Sequence, residues 1–417
     1  MLHGYGAGLG FFYKNFEALS RAPGWKLYAL DLLGMGRSSR PPFRLHAKDR
    51  QGKITEAENW FIDALEEWRK ERNIERFTLL GHSLGGYMAV AYALKYPGRL
   101  NKLILASPVG IPEDPYAVAA EMPDGADSAA ADQVSADAST TVRDENNFLN
   151  ARGKHAQSAS GTSTPDPSGR RQPQAPRRPY PTWLTYLWEK NLSPFSLVRW
   201  AGPLGPSLVS GWTSRRFGHL PAEEARALHD YSYSLFRQKG SGEYALAHIL
   251  APGAFARSPL IRRIQGVGRQ WMAEHSGAFA DAEADAQPGA GEGSSGAEGM
   301  VGEGAQGRRA SDAAKVASGR RRENGIPVVF MYGEHDWMDV RGGYAAAEKI
   351  REEKQRALEG MSPKERERDN REAKVVIIRK AGHHVYLDGV DQFNEVMLEE
   401  MRDVAERERR RKEAERR

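Results

Sequence analysis

The chain predicts an α/β fold, a doubly wound and mostly parallel sheet covered by helices on both faces, with a helical cap inserted between two of its strands. Short apolar runs of strand length (Phe77 to Leu80, Leu103 to Ala106, Ile326 to Tyr332 and Val375 to Ile378) alternate with helical patterns, which is the rhythm of a parallel sheet. The first of these runs leads into Gly81-His82-Ser83-Leu84-Gly85, and a helical pattern follows at once through Tyr96. An aromatic-rich stretch from Pro181 to Ile264 then interrupts the alternation before the last two strands.

In chain order, Met1-Leu2 reads as the end of a buried strand, and the glycine-rich loop Leu2 to Gly10 follows it. No register of these glycines fits the dinucleotide pattern Gly-x-Gly-x-x-Gly, so His3-Gly4-Tyr5-Gly6 is read as a loop that turns backbone N–H groups inward. Phe11 to Leu19 predicts a helix and Trp25 to Leu30 a strand, closed by Asp31 and a structural loop in which Gly34 and Gly36 permit a tight turn. Thr55 is expected to cap a periodic helix whose apolar face includes Trp60, Phe61, Leu65 and Trp68. Residues 1–117 are therefore the first part of the core and 326–404 the second. Between them lie a disordered insertion at 118–180, the cap at 181–264 and a second disordered insertion at 265–325, both insertions being poor in large apolar residues. Residues 405–417 form a charged helical tail.

Composition narrows the chemistry. The 417 residues include no cysteine, which excludes disulfides, thiolate nucleophiles and cysteine-ligated metals. A net charge of +5 traces to arginine clusters in the low-complexity stretches and at the C-terminus, so no nucleic-acid partner is expected. No run approaches the ~18–20 apolar residues that span a bilayer, so a membrane contact would be peripheral. The cap offers one: its tryptophans interleave with Lys190, Arg199, Arg215 and Arg216, a pattern that suits a lipid interface as well as a cap packed on itself.

Ser83 stands at the tip of a Gly-x-Ser-x-Gly turn between strand and helix, where a serine is held in a strained conformation at the carboxyl end of the sheet. A serine hydroxyl needs a base and a group that orients the base. Asp336 follows a later strand and His383 the last one, and Asp339, Glu334 and His384 compete for the same roles. The order serine, aspartate, histidine is that of one serine-hydrolase architecture. The backbone N–H of Leu84, with that of Tyr5 or Gly6, would hold an oxyanion. His3, His82 and His335 stand on separate loops without a metal-binding spacing, so neither metal nor cofactor is expected.

These motifs, together with Asp31 to Ser38, Ala251 to Pro259, Tyr332 to Asp339 and Gly382 to Asp388, resemble those of the α/β-hydrolases. More narrowly, they resemble the branch that holds the animal lipid-droplet lipase co-activator and the fungal mitochondrial cardiolipin-specific deacylase. The resemblance implies a triad of Ser83, Asp336 and His383 and a phospholipid substrate, cardiolipin first. It implies a location peripheral to the mitochondrial inner membrane, or alternatively the cytoplasm or lipid droplet. His383 and Asp388 match the His-x4-Asp motif linked in this branch to lysophospholipid acyltransfer, with acyl-CoA as co-substrate; Asp388 also reads simply as a cap of the following helix. A third reading is a non-catalytic lipid-surface adaptor. Relatives of this kind carry strands before the His3-Gly4 loop, so a truncated gene model or a fragment, with impaired stability, is expected, and any presequence would lie in the missing part.

Overall fold

The computed structural model describes residues 1–116, 181–272 and 321–416. The insertion expected at 118–180 and most of that expected at 265–325 lie outside the described residues. The strands are β1 (Phe77–His82), β2 (Leu100–Ala106), β3 (Leu250–Ala251), β4 (Phe255–Ala256), β5 (Pro327–Gly333) and β6 (Glu372–Ile378). Four of them form a parallel sheet in the order β1-β2-β5-β6, and β3 and β4 pair separately as a short antiparallel ribbon.

Alternation along the strands sends side chains into two cores. Leu79, Leu103, Leu105, Val328 and Phe330 enter one, and Leu80, Ile104, Ala106, Val329 and Met331 enter the other. Helices α1 (Tyr13–Ser20), α2 (Arg50–Glu71) and α3 (Leu84–Lys95) precede the cap. The first core packs against α2 and α3, the second against Leu19 of α1. Burying each large aliphatic or phenyl side chain in this way stabilises by about 1.5–3 kcal/mol.

Two local expectations change. Helix α2 starts before Thr55: the Asp49 carboxylate accepts the Gly52 N–H at 2.9 Å, so the cap is Asp49 and Thr55 lies inside the helix. Trp25 to Leu30 forms no ladder of its own. Among the described residues only Leu30 of this stretch bridges, to Leu2, which also bridges to Gly81.

The cap comprises α4 (Thr182–Glu189), α5 (Pro194–Trp200), α6 (Gly205–Phe217) and α7 (Ala222–Phe236), followed by the single turn α8 (Leu246–Ile249). Val198, Val209, Leu235 and Phe236 close a small core with Phe195 and Trp212. Trp183, Tyr186, Trp200, Leu204 and Leu208 face outward. The packed-cap reading therefore holds for Phe195 and Trp212, while the outward aromatics leave the lipid-interface reading open. Among the interleaved cations Arg199 turns inward to Glu243 at 2.8 Å, while Lys190 and Arg215 are exposed.

Helices α9 (Val340–Glu359), α10 (Pro363–Glu367), α11 (Val385–Asp388) and α12 (Val390–Arg416) complete the chain. Ala346, Ala347 and Ile350 of α9 join the first core, and Phe393, Val396, Met397 and Met401 of α12 join the second. Helix α12 runs without a break through residue 405, and Arg407 ties it to Glu372 of β6. The described ends of 265–325 belong to the body: Trp271 bridges to Arg322, and Glu323 accepts N–H groups from Gly98 and Gln270. Among the described residues no helix is long and apolar enough to cross a membrane.

Candidate active site

The turn after β1 depends on the absence of side chains. A Cβ on Gly81 would lie 2.2 Å from the Gly85 carbonyl oxygen, and one on Gly85 would lie 2.6 Å from that of Leu2. With that room the chain reverses so sharply that Ser83 takes φ 53° and ψ −116°, outside the comfortable regions for a residue with a Cβ. Its N–H donates to Ala106 of β2 at 2.9 Å, and its carbonyl accepts from Gly86 and Tyr87 in the first turn of α3. The side chain thus stands at the carboxyl end of the strands. Leu84, next in sequence, opens α3, so its N–H has no partner within the helix.

The glycine-rich loop comes up beside it. A Cβ on Gly4 would meet Ser83 Cβ at 2.9 Å, which puts Tyr5 one residue from a contact with the Ser83 side chain. The Tyr5 ring packs on Phe195 of the cap at 5.1 Å. His3 is fully buried and neutral: its Nδ1–H donates to the Gly4 carbonyl at 2.7 Å, and its Nε2 accepts the Leu32 N–H at 3.0 Å. Asp31 fastens the same loop by accepting the N–H groups of Leu9 and Arg37, so its role is structural, as the sequence suggests.

On the far side, the loop after β5 and the loop after β6 meet. The Asp336 carboxylate, with its side chain sealed from solvent, receives His383 Nδ1–H at 3.1 Å and the Met338 N–H at 3.1 Å. Burial alone would raise the Asp336 carboxyl, but the His383 charge and hydrogen bond outweigh it and hold it below its ordinary value. The rival acids have other work. Asp339 caps α9 through the Arg341 N–H, and Glu334 accepts the Lys380 N–H. With Nδ1 engaged, His383 keeps Nε2 for a reacting group. Among the described residues no hydrogen bond joins Ser83 to His383, and unreacted sites of this kind are often loose until substrate tightens them.

His384 faces away from the acid. Its Nε2 accepts from Arg216 of α6, at 3.0 Å from Nε and 2.8 Å from Nη2. Asp388, the second member of His-x4-Asp, accepts the Gly382 N–H at 3.0 Å and pairs with His219 of the cap at 3.1 Å. Its carboxylate therefore braces the turn before His383 and is not a cap of α12. The left-handed residue of that turn is Lys380, at φ 57°, and not Gly382.

One further contact ties the two loops together. His82 Nε2 donates to the His383 carbonyl at 2.9 Å, joining residues 301 positions apart. Burial, reinforced by the His383 charge, pushes His82 well below the ordinary imidazole range. His384 is lowered likewise, by burial and then by Arg216. His82 sits inside the serine motif, so a signal was present; Arg216 carried none beyond its charge. Among the described residues no cluster of three or more histidine, aspartate and glutamate side chains is arranged to hold a metal.

A family model described as the alpha/beta hydrolase fold matches residues 1–390. A 1-acylglycerol-3-phosphate O-acyltransferase of Arabidopsis thaliana is 38% identical over 272 residues, 63% of this chain and 50% of the relative. The human 1-acylglycerol-3-phosphate O-acyltransferase ABHD5 is 33% identical over 270 residues, 63% of this chain and 58% of its own length. A (Lyso)-N-acylphosphatidylethanolamine lipase of Bos taurus is 31% identical over 271 residues, 63% of this chain and 59% of the relative. The match thus spans about half to three-fifths of the length of these curated relatives.

Proposed function

The chain belongs to the alpha/beta hydrolase fold family, and from that premise we propose that it is a serine lipid hydrolase removing an acyl chain from a glycerophospholipid. One observation carries the proposal: His383 is oriented by the buried Asp336 at 3.1 Å, and its carbonyl is held by His82, the residue before the strained Ser83. In this mechanism His383 Nε2 takes the Ser83 proton as Oγ attacks the ester carbonyl, and Asp336 stabilises the imidazolium. The Leu84 and Tyr5 N–H groups hold the oxyanion, each such donor contributing about 3–4 kcal/mol to the transition state. Collapse returns the proton from His383 to the leaving lysolipid oxygen. Water, deprotonated by the same histidine, then releases the fatty acid from Ser83.

The acyltransferase names of the relatives favour a second reading, in which the acyl-enzyme passes its acyl group to a lysophosphatidic acid acceptor with acyl-CoA as donor. Their names also support a phospholipid substrate in general terms, and cardiolipin at the mitochondrial inner membrane is the specific case the motifs suggest. Docking on a lipid surface would use the outward Trp183, Tyr186 and Trp200 with Lys190 and Arg215.

The test incubates wild-type protein and Ser83→Ala with cardiolipin vesicles, with and without lysophosphatidic acid and acyl-CoA, and follows products by mass spectrometry. Lysocardiolipin that disappears by at least about 10⁴-fold in Ser83→Ala is the expected result. Acyl transfer without lysolipid release moves the function to the second reading. A lipid-surface function that survives Ser83→Ala would instead identify an adaptor.

A further inference from the structure

We infer that Arg216 forms a phosphate subsite in the catalytic crevice, reading the anionic head group of the lipid whose ester lies at Ser83. This rests on the proposed roles of Ser83 and His383.

The argument begins with charge. Arg69, Arg263 and Arg269 each lie against a carboxylate, of Glu66, Glu58 and Asp369 respectively. Arg216 does not: among the described residues no carboxylate lies within ion-pair distance of it. Its partner is the His384 imidazole, which accepts two of its hydrogens and neutralises nothing. Asp388, whose charge it senses, is already committed to His219 and the Gly382 N–H. Burial accordingly draws the Arg216 guanidinium down to about 10. A secluded cation without a counter-ion is costly, and a bound anion removes the cost.

Geometry suits phosphate. The guanidinium lies over the Trp212 ring with Cζ 4.8 Å from its centre, and His384 fixes its Nε–Nη2 edge. It is therefore pre-oriented, and its Nη1 hydrogens have no partner among the described residues. A planar fork held in this way is the protein group best matched to phosphate oxygens. Spacing agrees as well. In a glycerophospholipid, five covalent bonds separate phosphorus from the nearer ester carbonyl carbon, on the order of 6 Å. The rings of His383 and His384 are 5.6 Å apart, so an ester at His383 brings its phosphate to the residue that Arg216 grips. Arg371, fully buried and without an ion pair among the described residues, lies just before β6, at the opposite end of the strands, with its Cβ against Gly325.

Arg216→Gln and Arg216→Lys are compared with wild type on two hexanoyl esters, monomeric dihexanoyl phosphatidic acid and neutral p-nitrophenyl hexanoate. The expected result for Arg216→Gln is a kcat/KM lower by roughly 10- to 100-fold on the phosphate ester and nearly unchanged on the neutral one, with partial recovery in Arg216→Lys. An equal fall on both esters, or no fall on either, overturns the subsite and leaves Arg216 a strut between cap and loop. Binding is read separately in a Ser83→Ala background by ³¹P line broadening of dihexanoyl phosphatidic acid, inorganic phosphate and coenzyme A. Broadening of the lipid that Arg216→Gln abolishes supports the head-group subsite. Broadening of coenzyme A alone, or of all three regardless of Arg216, overturns it. If neither ester is hydrolysed in a Ser83-dependent way, the hydrolase reading fails while the binding arm still decides the subsite.

Discussion

On the serine side of the crevice, backbone passes backbone: the Gly85 carbonyl oxygen stands 2.2 Å from where a Gly81 Cβ would be, and the Leu2 oxygen 2.6 Å from where a Gly85 Cβ would be. On the histidine side, side chains from distant segments converge. Asp336, His82, Arg216 and Asp388 each hold a different atom of the loop from Gly382 to His384. The first side is a steric arrangement that exists whole or not at all. The second is a set of separate polar contacts, each removable alone. Substitutions on the serine side should therefore act first on folding, whereas on the histidine side Asp336 should act on chemistry without loss of the fold.

The largest effect tests the steric half. Gly81→Ala forces a methyl group onto a backbone oxygen that cannot move without unseating α3, so a loss of at least about 4 kcal/mol is expected in urea denaturation. A variant as stable as wild type would mean that the turn tolerates bulk and the contrast is false. Next comes Asp336→Asn, which keeps the shape of the acid while disturbing the histidine tautomer; kcat on a soluble ester should drop by about 10⁴-fold with the fold intact. Its control is Asp339→Asn, which preserves a helix cap and should change kcat by less than about threefold. Reversal of that order would transfer the acid's role to Asp339.

The smallest effect is in pH. His82 and His384 are held neutral in the folded protein, with values below those of the unfolded chain. The unfolded state therefore takes up protons first as pH falls. The stability they contribute is present above about pH 6.5, the ordinary imidazole value, and declines below it. Urea midpoints measured from pH 8 to pH 5 should fall on that limb, and His384→Gln should flatten part of the slope. An unchanged slope would show that His384 does not contribute to it.

Much of this site was readable because it is local. Gly81, Ser83 and Gly85 sit within five residues, and their spacing alone demands the turn that the structure contains. Asp336 and His383 were readable by position, each just after an apolar strand run. The partners that distinguish His383 from His384 were not, since Arg216 is 168 residues from the histidine it meets. Helix α2 was legible by period but not by its start, because Asp49 caps a first turn that carries almost no apolar signal. Likewise, alternation identified the strand runs, yet a ladder also needs a neighbour along its length, and between Trp25 and Ala29 only the Tyr28 carbonyl meets one among the described residues, accepting from the Met1 amino group.

Asp388 connects the cap to chemistry in a way that reaches beyond binding. One of its oxygens steadies the turn that presents His383, while the other is tethered to His219 on the cap. Displacing the end of α6 would slacken that tether and withdraw Arg216 from His384 in the same movement. The site would then behave as a safety catch: a cap pulled away from the loop would leave His383 without the brace that holds its turn.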